Sequence, residues 1–228
     1  MTNFLNHLLI EFRLIATRHQ ENGLCTSDAL YQIIEKISPD VIFEEIPPSK
    51  FEAVYKGLRQ DSLETRTIKR YLSRYPATHF PVDAETDEIT DKFIKNDYRV
   101  MVNLFVNYSI EYRDLCIKRQ LSSEEKGFSY LNSNEWTYLS KRIDILEEQI
   151  VNSLNNDTLN QRYKEWLNVL DIRNDEMIRN IYKCVKFNEC KNGLFLVGVE
   201  HRRQIIDKIH LLEKHSHSKI NWNFNYFN

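Results

Sequence analysis

Short apolar runs alternate with amphipathic stretches near both ends of the chain, and the middle is helical in pattern throughout. The run FRLIAT (12–17) has the length and composition of a buried strand. In TSDALYQIIEKI (26–37), Leu30, Ile33, Ile34 and Ile37 form one helical stripe behind an N-cap at Thr26 or Ser27. PDVIFEEI (39–46), rich in β-branched and aromatic residues, reads as a second strand. Together these segments span about 35 residues, the size of a right-handed βαβ crossover, which predicts a parallel strand pair. Helical sequence resumes over about 51–75 with an interruption near Arg59–Ser62. THFPVD (78–83) is a third strand whose proline favours an edge or a strand end.

From Glu85 to about Phe187 no strand pattern is found. Helices are predicted over 91–119, 135–154, 159–170 and 174–187, with breaks at Leu121–Ser123, near Gly127–Asn134 and at Asn155–Asp157. Tyr98, Phe105, Tyr108 and Tyr112 fall at helical spacing, as a helix–helix core stripe would. The α/β pattern returns with GLFLVGV (193–199), almost wholly apolar, as suits a strand covered on both faces. An amphipathic helix (202–215) and an alternating edge strand, KINWNFNYF (219–227), complete the chain. The predicted fold is α/β, a single domain over 1–228. It has a small, mainly parallel central sheet flanked by helices, and a large all-helical insertion over about 85–187 between the third strand and the last apolar one. The insertion lacks a sustained heptad pattern, but it is the candidate surface for a homodimer.

Charge narrows the function classes. Acidic and basic residues nearly cancel, 33 against 31, so no overall field argues for a nucleic-acid or membrane partner. The pairs Lys69-Arg70 and Arg202-Arg203 are too short for a nucleic-acid stripe and read as solvated helix faces. No signal-peptide core and no long apolar run are seen, so a cytoplasmic location is expected. Cys25, Cys116, Cys184 and Cys190 form no CxxC pair; they read as reduced packing residues, not as disulfides or a structural zinc site.

Ionisable residues follow four of the proposed strands: Arg18 and His19, Glu44 and Glu45, Asp83 and Glu85, Glu200 and His201. Ligands of open parallel α/β sheets bind outside the carboxyl ends of the strands, where loops and helix N-termini gather. Any one of these acids could be an ordinary helix cap or first-turn acid. His7, His210, His215 and His217 read as surface or satisfied core residues, whereas His19 and His201, directly after apolar strands, read as functional. Strand alternation sends Glu44 and Glu45 to opposite faces, so at most one faces the crevice.

The order of these motifs resembles the TraB/PrgY and Tiki family, within the wider group that includes ChaN-like haem-binding proteins and erythromycin esterases. That family has a strand ending in Gly-x-x-His, a PDxVxxEL strand, and a second Gly-x-x-His. Here ATRH (16–19) has Ala16 for the glycine, PDVIFEEI places the family glutamate at Glu45, and GVEH (198–201) matches fully. An Arg-Asn-x-x-Met segment has its counterpart in Arg173, Asn174 and Met177; Lys50 stands where the family often has arginine. The likeness covers the two α/β segments, about half the chain.

The resemblance implies hydrolysis of a peptide or ester bond in a small-molecule or peptide substrate, with His19, Glu45, Arg173, Asn174 and His201 as the catalytic set and Arg18, Lys50, Asp83 and Glu200 around the substrate. In the metal-dependent form, His19, Glu45 and His201 would hold Mn²⁺, Co²⁺ or Zn²⁺ and activate a bound water. In the metal-free form, His19 or His201 would act as general base and Arg173 would stabilise an oxyanion. Asn174 would bond substrate, or else cap a helix beginning at DEMIRNIY. The alternatives are a ChaN-like haem or small-ligand binder, with Tyr75, Tyr98, Tyr108 or Tyr112 as ligand, and a degenerate regulatory protein, to which Ala16 and Lys50 point.

Overall fold

The computed structural model describes residues 11–87, 90, 92–188, 190–215 and 220–227, without the side chains of residues 94, 95 and 215. His7, His217 and the side chain of His215 therefore lie outside the described residues. Five strands form one all-parallel sheet: β1 (Glu11–Thr17), β2 (Val41–Glu44), β3 (Thr78–Pro81), β4 (Asn192–Gly198) and β5 (Asn221–Asn223). Their spatial order is β3-β2-β4-β1-β5, so the proline-bearing β3 and the short β5 are the two edges. β4 lies between β1 and β2, with Thr17 opposite Gly198 and Glu44 opposite Leu196. That register brings the carboxyl ends of the three central strands nearly level.

The local chemistry sets the element limits. Thr26, not Ser27, caps α1 (Ser27–Ile37), its side chain accepting the Ala29 N–H. β2 is shorter than the apolar run because Pro47 and Pro48 turn the chain directly into α2 (Pro48–Tyr55). Ser62 caps α3 (Leu63–Leu72). Between β3 and β4 the described residues form helices only: a π-helical turn (Phe93–Asp97) running into α4 (Tyr98–Tyr108), then α5 (Ile110–Leu131), α6 (Asn134–Leu154) and α7 (Asp157–Phe187). α8 (Val199–His215) follows β4 without a break.

Three expectations inside this region are corrected. The break falls at Ser109, whose side chain caps α5 through the Tyr112 N–H, while Leu121–Ser123 stay helical. The segments 159–170 and 174–187 are one helix, which puts Asn174 in its interior and removes the capping role. Tyr108 is 50% exposed, so the aromatic stripe is core at Phe105 and Tyr112, with Tyr98 packed partly buried against them, and not at Tyr108.

Apolar side chains pack in three groups. One face of the sheet (Ile15, Ile42, Leu194, Leu196) meets α1, α3 and the α5–α6 junction. The other (Phe12, Leu14, Phe43, Phe195, Val197) meets the second half of α7 and α8. A third group, among α4–α7, excludes the sheet. α7 therefore crosses from the helical layer onto the sheet, passing the strand ends as it does so. Beyond β5's short pairing, Asn132 covers the free edge of β1, its amide accepting the Ala16 N–H (2.8 Å) and donating to the Ala16 carbonyl (3.0 Å). Arg202, read as solvated, is buried and donates to the carbonyls of Asn132 and Phe224. All four cysteines are unpaired, and among the described residues no helix is long and apolar enough to cross a membrane.

Candidate functional site

Glu45, one residue beyond β2, is the centre of the cluster at the strand ends. Alternation along β2 turns it toward α7 and α8, while Glu44 turns the opposite way. Arg173 Nη2 donates to Glu45 Oε1 at 2.6 Å, and the Gly198 N–H donates to Oε2 at 2.6 Å. His201 Nε2 lies 3.3 Å and His19 Nε2 3.9 Å from the same Oε1. Arg173 also grips Asp83, through Nε (3.0 Å) and Nη2 (2.8 Å), so one guanidinium bridges carboxylates from the ends of β2 and β3. Among the described residues its Nη1 has no hydrogen-bond partner, and it is not sealed from solvent.

At Gly198 the backbone of β4 and the Glu45 side chain approach closely. A Cβ there would stand 2.9 Å from Glu45 Oε2 and 3.4 Å from His19 Nε2. The glycine of GVEH thus admits the carboxylate to the backbone of β4. His201, on the first turn of α8, is 4% exposed, and its Nδ1 bonds Asn174 Oδ1 at 2.6 Å. Asn174, fully buried, donates in turn to Gln204 Oε1 (2.7 Å). With Nδ1 engaged, Nε2 is the ring atom turned to Glu45.

His19 differs from His201 in being 60% exposed at its side chain. Its pKa is pushed up to about 9, first by the hydrogen bond to Glu64 and then by the Glu45 charge. Burial opposes ionisation of Glu45, but the charge of His201 above all, with His19 and Arg173, holds its carboxyl well below the usual range. Arg173 is raised for the matching reason: burial works against its charge, and Glu45 and Asp83 outweigh burial. The raised imidazolium contributes stability below its ordinary pKa and loses it as pH rises through about 9. Titration of His19 followed by NMR is therefore expected to show a midpoint near 9. Glu64→Gln should lower that midpoint toward about 6.5, and a wild-type midpoint already there would contradict the pairing.

Not every residue expected at the crevice is in the cluster. Glu200 is 54% exposed at its side chain and turns to Arg119 of α5 (3.2 Å). Lys50 Nζ lies 3.5 Å from Thr86 Oγ1, and Arg18 is half-buried, its charge acting on Cys25. Asp83 is present, but its carboxylate is engaged by Arg173. The hydroxyls of Tyr75, Tyr108 and Tyr112 bond Glu35, Ser153 and Glu147, and Tyr98 stacks on Trp166.

Glu64, Gln204, Tyr55 and His79 carried no sequence signal. Glu64, in the first turn of α3, accepts from Thr17 Oγ1 (2.6 Å) and stands 3.2 Å from His19 Nδ1, while its Oε2 is buried without a partner. Beside it a cavity of about 30 Å³, lined by His19, Glu44, Glu45 and Ser62, has room for one water-sized group. Glu44 receives the Tyr55 hydroxyl at 2.7 Å to each oxygen and has His79 Nδ1 2.7 Å away, a satisfied network on the far side of β2.

A divalent metal does not fit the His19/Glu45/His201 set as arranged. The shared oxygen, Glu45 Oε1, already receives the Arg173 guanidinium at 2.6 Å, a cation that a metal ion would have to displace. Among the described residues no group of three or more His, Cys, Asp or Glu could hold a metal ion. Fold and cluster define the chain as an open parallel α/β protein with an ionic site at the strand carboxyl ends. No protein-family model, curated protein or solved structure matches it.

Proposed function

We propose that this protein hydrolyses an ester or peptide bond in a small-molecule or peptide substrate, using His19, Glu45, Arg173 and His201 without a resident metal. The observation that carries the reading is the convergence of two imidazoles, a guanidinium and the Gly198 N–H on one carboxylate that is 7% exposed. Burying such a set costs folding energy that apolar residues would not, and perturbed groups of this kind concentrate at functional sites. The substrate carbonyl enters beside the exposed His19 ring. Water attacks the carbonyl carbon and yields its proton to Nε2 of the neutral His201 ring, whose Nδ1–H donates to Asn174 Oδ1; the imidazolium so formed carries the charge that Glu45 stabilises. Arg173 Nη1 stabilises the oxyanion. The bond to the leaving oxygen or nitrogen then breaks, and His19, the imidazolium, supplies the leaving group's proton.

The test is hydrolysis of p-nitrophenyl acetate and of aminoacyl p-nitroanilides by wild type, Glu45→Gln and His201→Gln. Each variant is expected to lower kcat/KM by about 100-fold or more. Prior chelation with EDTA should leave the wild-type rate unchanged. Turnover that both variants retain would remove the assignment. Activity lost on chelation and restored by Mn²⁺, Co²⁺ or Zn²⁺ would instead return the site to metal chemistry.

A further inference from the structure

A second cavity, of about 430 Å³, lies between α6, α7 and the start of α8, outside the Glu45 cluster. Its size is that of small-molecule sites, which run about 300–1,000 Å³. The walls are aromatic: Tyr98 stacks on Trp166 with ring centroids 3.8 Å apart, and Trp136 and Tyr163 also line the space. The polar lining is mainly acidic, with Asp144, Glu147, Glu148 and Glu200 against Lys164 and Arg203. Asp144 is engaged by Arg203, and Glu200 by Arg119.

Glu147 is the exception. It is 5% exposed, and among the described residues no lysine, arginine or histidine lies within ion-pair distance of it. Tyr112 donates to its Oε1 at 2.7 Å. The Tyr163 hydroxyl also faces this carboxylate, and both residues line the cavity. We propose that this cavity binds an organic cation, a primary ammonium on an apolar ring-bearing body, with the ammonium on Glu147 and the body among Trp136, Tyr163 and the Tyr98–Trp166 pair.

The chemistry selects each part. Electron-rich ring faces attract cations and disfavour anions. With the Tyr112 and Tyr163 hydroxyls already at it, the Glu147 carboxylate suits a compact ammonium better than a planar guanidinium, which seeks two free acceptors. Burial pushes Glu147 up to about 7 against the Tyr112 bond, with Asp144 and Glu200 adding to the rise and Arg119 opposing it. A bound ammonium would return it to the carboxylate. The inference does not rest on the hydrolytic reading. The two sites are nonetheless joined: Gln204 lines this cavity and accepts from Asn174, which holds His201.

Calorimetric titration of the full chain with phenethylamine, phenethyl alcohol and hydrocinnamate tests the assignment. The amine should bind saturably, and the isosteric alcohol about 10-fold or more weaker; hydrocinnamate should not bind. Amine affinity should be higher at about pH 8 than at about pH 5.5, where Glu147 is protonated. Glu147→Gln should weaken the amine by about 10-fold and leave the alcohol unchanged. Equal binding of amine and alcohol, binding independent of pH, or no saturable binding of phenethylamine would each overturn the proposal. The ligand series and the pH comparison use the wild-type chain, so they decide the matter even if the variant folds poorly.

Discussion

Arg173→Met is expected to lower the stability of the fold by about 3–5 kcal/mol, because it leaves two buried carboxylates without their shared cation. Glu45 and Asp83 are 7% and 6% exposed at their side chains, and the guanidinium bonds both. Methionine fills most of the same volume, so the loss reports charge and hydrogen bonding rather than a cavity. For a chain of this size, each kcal/mol moves Tm by about 2–4 °C, which puts the expected fall at about 6–20 °C. The pH dependence separates this cause from general damage. In the wild type the depressed Glu45 contributes stability above its unfolded pKa and loses it as pH falls through its lower folded value. The variant loses the part of that contribution that Arg173 supplies, while His201 and His19 keep theirs, so its deficit should be largest near neutrality and shrink below about pH 4, where Glu45 protonates. Chemical denaturation at several pH values measures it. A deficit under about 1 kcal/mol, or one that does not change with pH, would show that Arg173 does not hold the carboxylates in this way.

Gly198→Ala should have the opposite profile, a large effect on activity and a small one on stability. The added methyl carbon would lie 2.9 Å from Glu45 Oε2, which the Gly198 N–H holds at 2.6 Å. His19, 60% exposed, can swing aside; Glu45, at 7%, cannot, and must shift together with Arg173 and His201. A displacement of this order in a reacting constellation costs about 100-fold in rate. Stability should change by about 1 kcal/mol or less, since alanine also narrows the unfolded ensemble and partly offsets the contact. Ester hydrolysis at the wild-type rate, with His19 still titrating near 9, would mean that the close approach at Gly198 serves packing alone.

Legibility in the sequence followed the range of the physics. The strands were readable because burial imposes a short period or a short apolar run, as in Phe12–Thr17 and Gly193–Val199. The length of the crossover implied that β1 and β2 run parallel, as they do, but they do not pair with each other, because β4 lies between them. Helix limits were read less well. Ser109 outcompeted the Ser122–Ser123 pair as a break because only its hydroxyl finds a free N–H to cap. Asn174 looked like a helix start because local sequence cannot distinguish an asparagine that caps from one buried to hold another side chain.

The sequence by itself determined which chemical groups would stand at the strand ends: His19, Glu45, Asp83 and His201 each follow an apolar run, and the sheet gathers whatever follows. Which group bonds which was decided only by the tertiary structure. Arg173 and Glu45 are 128 residues apart in the chain, and they meet because α7 passes over the strand ends as it moves from helical core to sheet. Glu64 and Gln204 entered the network by the same kind of packing. A side chain's identity states what it can donate, accept or ionise; its partner, burial and pKa depend on distances that the packing of remote segments alone sets.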